Sequence, residues 1–203
     1  PHSISAWLRK GELQARDIKA PEYNQSQFKK SLKAIKVLIA DHPVNFFSEL
    51  KDICFKSGVK VFYTPRLPKT PINGSTRWIN NAPVIQLTAR YKQNDRFWFT
   101  FFHEAGHIIL HGKKYISLEG VNFSEADPKK EEEAHQFAES CILTEEQEKE
   151  ILKNMPNCPE DVILFAKKFN THPAMIIGRL QHRNIIPYSF GKEFIVPVDL
   201  SGN

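Results

Sequence analysis

His103-Glu104-Ala105-Gly106-His107 sets two imidazoles four residues apart, with a carboxylate beside the first. On an α-helix that spacing stacks the rings one turn apart on a single face, where their nitrogens can converge on one metal ion. Glu104 falls at the edge of the same face, placed to act as general base toward an attacking water. The pattern is the short signature of a zinc-dependent hydrolase, and a catalytic zinc site wants a third protein ligand. His111 is the nearest histidine, but it lies about 6 Å further along the helix axis than His107. A straight helix cannot bring all three to one ion, so His111 is expected behind the ligands or at the helix end. The longer metzincin pattern fails too, because Lys113 stands where its third histidine would be.

A better source is the stretch from Asp127 to Ile142. Asp127 followed by Pro128 reads as an N-cap and a first helical residue. Ala134, Phe137, Ala138, Cys141 and Ile142 recur at helical spacing and mark its buried face. Glu131 is in phase with that stripe and is the preferred third ligand, with Glu133 its competitor. The same run, Glu131-Glu132-Glu133, also suits solvent near a positive helix N-terminus.

Other elements must hold these helices. Asn94 to Gly112 is apolar on nearly every face and predicts a buried central helix, capped by Asn94 or Asp95 and stopped by Gly112. Ala105 and Gly106 leave room for a neighbouring element. Ahead of it, helices are expected over Ile4–Ile18, from Asn24 onward, and from Pro43 to a stop at Gly58. A strand follows at Val59–Tyr63, then a proline-rich connection from Pro65 to Pro71. Ser75–Ile79 and Pro83–Thr88 read as two strands joined at Asn80-Asn81. Gly74, Ser75, Thr76 and Arg77 are the candidate edge on which extended substrate backbone could add. Near the end, Pro159–Phe169 and Pro173–His182 form a helix pair of helix-turn-helix layout. The class is α+β, divided as an N-terminal helical segment (1–57), a core (58–155) and a C-terminal helical subdomain with tail (156–203).

His103–His107, Leu110-His111-Gly112 and Glu131-Glu132-Glu133-Ala134-His135-Gln136-Phe137-Ala138 resemble the ImmA/IrrE zinc-peptidase family. Gly74–Ile79, Phe97–Phe102 and Ile176–Gln181 extend the likeness over most of the chain. The resemblance implies a zincin-like core, a small mixed sheet with the HExxH helix and a glutamate-bearing helix. It assigns Zn2+ to His103, His107 and Glu131, and the general base to Glu104. It further implies cleavage of a repressor or antitoxin-like protein, as in regulators that join such a domain to a Cro/C1-type helix-turn-helix. His135 departs from the family, which usually has Asn or Asp there; a histidine can orient a ligand by hydrogen bonding or compete for the metal. Tyr91, Tyr115 and His111 are candidates for a second oxyanion donor.

Composition bounds the rest. The 203 residues carry a net charge of +5, which permits nucleic-acid contact without establishing it. Lys167, Lys168, Arg179 and Arg183 are the residues through which the C-terminal helices could meet DNA phosphates, and a lost N-terminal helix-turn-helix is the other route. The chain starts at Pro1 rather than Met, and a longer parent is expected. Cys54, Cys141 and Cys158 show no ligand spacing and fit free thiols in a reducing cytoplasm. No apolar run suits a membrane span or signal peptide. A homodimer is allowed.

Overall fold

Three helices, α1 (His2–Asp17), α2 (Gln25–Asp41) and α3 (Phe46–Phe55), lead into strands β1 (Lys60–Tyr63), β2 (Gly74–Ile79) and β3 (Ala82–Leu87). The computed structural model describes residues 2–88, 90–120 and 127–200. Asn24 caps α2, its side chain accepting from the Gln27 amide at 2.9 Å. Pro43 starts a turn rather than the helix itself, since Phe46 N donates to Pro43 O at 2.9 Å before α3 begins. Asn80 and Asn81 take φ of 50° and 64°, the paired positive values that a two-residue hairpin needs. β2 and β3 run antiparallel from Gly74↔Leu87 to Ile79↔Ala82. β1 lies parallel on the other side of β3, giving a mixed sheet in the order β1-β3-β2.

Alternation along the strands feeds two packing layers. Val61, Ile85 and Leu87 enter the main hydrophobic cluster, whereas Phe62 and Val84 turn to the other face and meet Ala15 of α1. α1 is pinned there by polar contacts as well. The buried Trp7 indole donates to Thr64 O at 3.1 Å, and Gln86 Nε2 donates to Trp7 O at 2.9 Å. Arg77 closes the network, donating to Gln86 Oε1 and to Leu8 O, each at 2.8 Å.

On the main face runs α4 (Asn94–His111), with buried residues on every side. Its cap is one residue earlier than the sequence suggests. Gln93 precedes the helix without a capping hydrogen bond, and Asn94 instead grips the C-terminal tail, donating to Phe194 O and accepting from Val196 N at 3.0 and 3.2 Å. Gly112, with φ of 65°, ends the helix. α5 (Pro128–Ile142) is capped by Asp127, which accepts from Lys129 N at 3.1 Å. α6 (Glu145–Lys153) escaped the sequence reading although Thr144 and Gln147 form a full capping box before it. α7 (Pro159–Phe169) and α8 (Pro173–His182) keep the expected bounds.

One cluster takes in Phe28 and Ile35 of α2, Phe101 of α4, Val162 of α7, Ile176 of α8 and Leu200. All three expected segments therefore contribute to a shared core. Three of the four basic residues named on the helix pair are engaged. Arg179 donates to Glu148 at 2.7 Å and to Glu139 O at 2.8 Å, Arg183 meets Glu148 at 3.0 Å, and Lys168 pairs with Glu150. Among the described residues no helix is long and apolar enough to cross a membrane.

Gly11 is where α1 touches the sheet most closely, because a Cβ there would lie 2.0–2.4 Å from the Gln86 amide. Gly11→Ala should lower stability by about 1–3 kcal/mol, the usual cost of overpacking, despite alanine's higher helix propensity. Urea unfolding checks this, and an unchanged midpoint would show that the contact does not hold α1.

Candidate metal centre

Gly106 faces α5 so closely that a Cβ would stand 3.0 Å from the Phe137 ring and 3.4 Å from Ala134 Cα. That approach carries Glu131, on the turn before Ala134, up to the histidines of α4. His103 Nε2 lies 3.0 Å from His107 Nε2 and 3.1 Å from Glu131 Oε2. Glu131 Oε1 is 3.5 Å from His107 Nε2. Ligand atoms of these three residues all fall within 4.8 Å of one another, the one such group among the described residues. Two imidazole nitrogens and a carboxylate oxygen are a donor set for a divalent transition-metal ion.

His111 and Glu133 stand behind this group. His107 Nδ1 meets His111 Nδ1 at 2.9 Å, and His111 Nε2 meets Glu133 Oε2 at 3.0 Å. A carboxylate only accepts. With both rings neutral, His111 therefore carries its hydrogen on Nε2 and accepts at Nδ1. His107 must then carry its hydrogen on Nδ1, which leaves the Nε2 lone pair facing His103 and Glu131. Glu133 thus ends a relay, while Glu131 joins the donors. His103 is held differently: its Nδ1 is buried without a hydrogen-bond partner, and the Phe99 ring stacks on it at 6.4 Å.

Tyr115 steadies the acid. Its hydroxyl donates to Glu131 Oε1 at 2.6 Å, and its ring stacks on His107 at 5.0 Å. Burial alone would raise the Glu131 carboxyl, but hydrogen bonds with His103, His107 and Tyr115 outweigh it and hold the group well below the usual carboxylate range. Glu131 is therefore an anion at neutral pH, as a ligand must be.

Glu104 is fully buried, and neither carboxylate oxygen has a hydrogen-bond partner. β2 makes its chamber. Thr76 Oγ1 donates to Glu104 O at 2.9 Å, and a Cβ on Gly74 would stand 3.1 Å from Glu104 Oε1 and 2.9 Å from Thr100 Cγ2. Burial pushes the Glu104 carboxyl up to about 8; the His103 charge and the nearby Thr76 hydroxyl oppose the shift, and the charges of Glu119 and Glu131 add to it. An orphaned buried carboxylate beside three convergent donors is what a hydrolytic metal centre contains, and the residues present fit such an ion.

The edge expected at Gly74, Ser75, Thr76 and Arg77 is not open. Ser117 N donates to Thr76 O at 2.9 Å, Glu119 N to Gly74 O at 3.0 Å, and Asn73 N to Glu119 O at 2.9 Å. Residues 117–119 thus occupy the outer side of β2, while Ser75 is buried and Arg77 points into the α1 contact. His135 sits one turn past Glu131 and faces Phe99 at 4.9 Å and Glu139 at 3.9 Å, rather than a ligand atom. Tyr91 lies on the surface under the Arg96 guanidinium, 4.1 Å from its ring centroid. Sequence reasoning missed Glu119, whose charge acts on both His103 and Glu104. It lies outside every helix and strand, in a segment with no periodic signal.

Two outcomes follow from this geometry. His111→Ala should weaken metal affinity by about 10–100-fold, the usual effect of removing a group that orients a ligand, and Glu133→Gln should act in the same direction. Chelator competition measures both, and unaltered affinity in the pair would detach the relay from the metal. The second concerns chelator-treated protein. An unfolded Glu104 ionises near 4.5, whereas the folded one keeps its proton to about 8. Between those values the folded state binds more protons, so its stability falls as pH rises. Unfolding midpoints of the parent should therefore drop relative to Glu104→Gln across that window, and parallel pH curves would exclude the protonated carboxyl.

No curated protein matched the chain. The sequence model of the IrrE N-terminal-like domain, a peptidase family, matches residues 54–181. That span runs from the end of α3 through β1–β3, α4 and α5 to α8, and so contains the three donors, Glu104 and the Glu133 relay. The chain therefore belongs to the IrrE N-terminal-like family of metallopeptidase-type domains.

Proposed function

We propose that the chain is a zinc-dependent peptidase that cuts a peptide bond in a specific protein, of the transcriptional-repressor or antitoxin type. The observation that carries this reading is Glu104, a buried carboxylate with no partner, set against a His-His-Glu donor group. A purely structural zinc site is closed by four protein ligands and has no use for such a group. Leaving it buried and unpaired costs stability, so its place calls for a chemical role.

His103, His107 and Glu131 would hold the zinc. When bound, the ion supplies Lewis-acid activation at the scissile carbonyl and the attacking water. Glu104 takes the proton from that water and delivers it to the leaving amine. Tyr115 keeps Glu131 turned toward the histidines, and the Glu133–His111 relay keeps the His107 lone pair available. Because residues 117–119 cover β2, extended substrate would pair along the outer side of that segment. A DNA-reading role for α8 finds less support, since Arg179 and Arg183 are bound to Glu139 and Glu148.

Purified protein should carry about one zinc per chain. Glu104→Gln should keep it and lose about 10²–10⁴-fold in cleavage, the contribution of a positioned general base. Mass spectrometry of candidate repressors incubated with the zinc-loaded chain reads the cleavage, and a variant as active as the parent would remove Glu104 from the reaction. Glu131→Ala should weaken zinc more than Glu133→Ala does, and the reverse order would move the third ligand.

A further inference from the structure

A cavity of ≈ 230 Å³ lies behind Phe99, near His103, and takes no part in the chemistry above. It is smaller than the ~300–1,000 Å³ of pockets that enclose whole small-molecule ligands, which suits a single side chain. It opens beside α4 one turn before His103, with Phe99, Ile142 and Met175 as apolar wall. Phe99 is the ring that stacks on His103, so the cavity and the centre share a wall.

Two carboxylates line it. Glu119 lies beside Thr100 and Asn73, and its Oε2 is shut from solvent without a partner. Asp95 presents Oδ1 in the same condition, and Gly178 is the residue that leaves Asp95 room, because a Cβ there would lie 2.8 Å from Oδ2. Most of the other charged side chains around the cavity are already engaged, and His182 meets the His135 ring at 6.2 Å. Glu139 pairs with Arg179 and Arg183, Arg179 also with Glu148, and the exposed Arg96 turns onto the Tyr91 ring while its charge also acts on Asp95. Burial pushes the His135 imidazole down, so it adds no cation at neutral pH. What remains is a cavity with an apolar wall at Phe99, Ile142 and Met175 and two carboxylate oxygens without a hydrogen-bond partner.

We propose that this cavity is a specificity pocket for a lysine or arginine side chain of the substrate. The aliphatic stem lies against Phe99, Ile142 and Met175 while Glu119 and Asp95 receive the cation. Phe99 lines the cavity and stacks on His103, which puts the recognised residue on the His103 side of the donor group. The inference rests on the peptidase reading for its substrate, but its test does not need turnover.

Zinc-loaded chain is titrated by NMR with Nα-acetyl-lysine N-methylamide and with its norleucine and glutamate counterparts. The lysine compound should bind about tenfold more tightly than norleucine, the scale of one charge-assisted hydrogen bond. Glu119→Gln and Asp95→Asn should each bring that ratio down toward one and leave norleucine binding unchanged. Asp95→Asn gives the answer alone if Glu119→Gln does not fold. Equal binding of lysine and norleucine, tighter binding of glutamate, or a ratio that survives the substitutions overturns the pocket. A chain that selects lysine yet cuts no protein would lose the peptidase reading and keep the pocket. One that cuts a repressor with no basic preference would do the reverse.

Discussion

The donors come from two helices, and the separation of those helices is set where Gly106 meets Ala134 and Phe137. α4 supplies His103 and His107 at a spacing fixed by its own turn. α5 can supply only one acid at the right height, and it reaches only because α4 carries no side chain at Gly106, where Ala134 and the Phe137 ring come against it. Ala134 and Ala138 are both fully buried on that face. Close approach at Gly106 thus converts a helical repeat in each segment into one three-donor group.

Around this crossing the interior holds more charge than an ordinary core. Glu104 and Glu119 are drawn up by burial, whereas Glu131 is drawn down by its hydrogen bonds. The difference is partners, not depth. Glu131 has two imidazoles and a phenol within reach, while Glu104 has none. Three acids in one neighbourhood are therefore pushed in opposite directions, Glu104 and Glu119 by burial and Glu131 by its hydrogen bonds.

Much of this arrangement was legible before folding. The α5 start at Asp127-Pro128, the Asn80-Asn81 hairpin and the bounds of α7 and α8 follow from local rules that burial does not override. Helical phase put Glu131 on the α4 side of α5 and excluded His111 from the donors on rise alone. The illegible parts are long-range. Nothing in the composition of residues 117–119 says that they will lie along β2, because three ladder bonds need no alternating pattern. His135 shares a face with Glu131, but one turn of rise takes it from the donors to the cavity. The cations of α8 looked free only because Glu139 and Glu148 are distant in sequence.

The short segment beside β2 has a consequence for how the molecule comes apart. Three backbone hydrogen bonds tie it to residues 73–76, and it delivers Tyr115 to Glu131 at one end and Glu119 to the cavity at the other. A fluctuation that peels it from the sheet releases both groups together. Metal retention and side-chain discrimination would then share one local opening, well below global unfolding in free energy, and amide hydrogen exchange at Ser117 and Glu119 would report on the two functions at once.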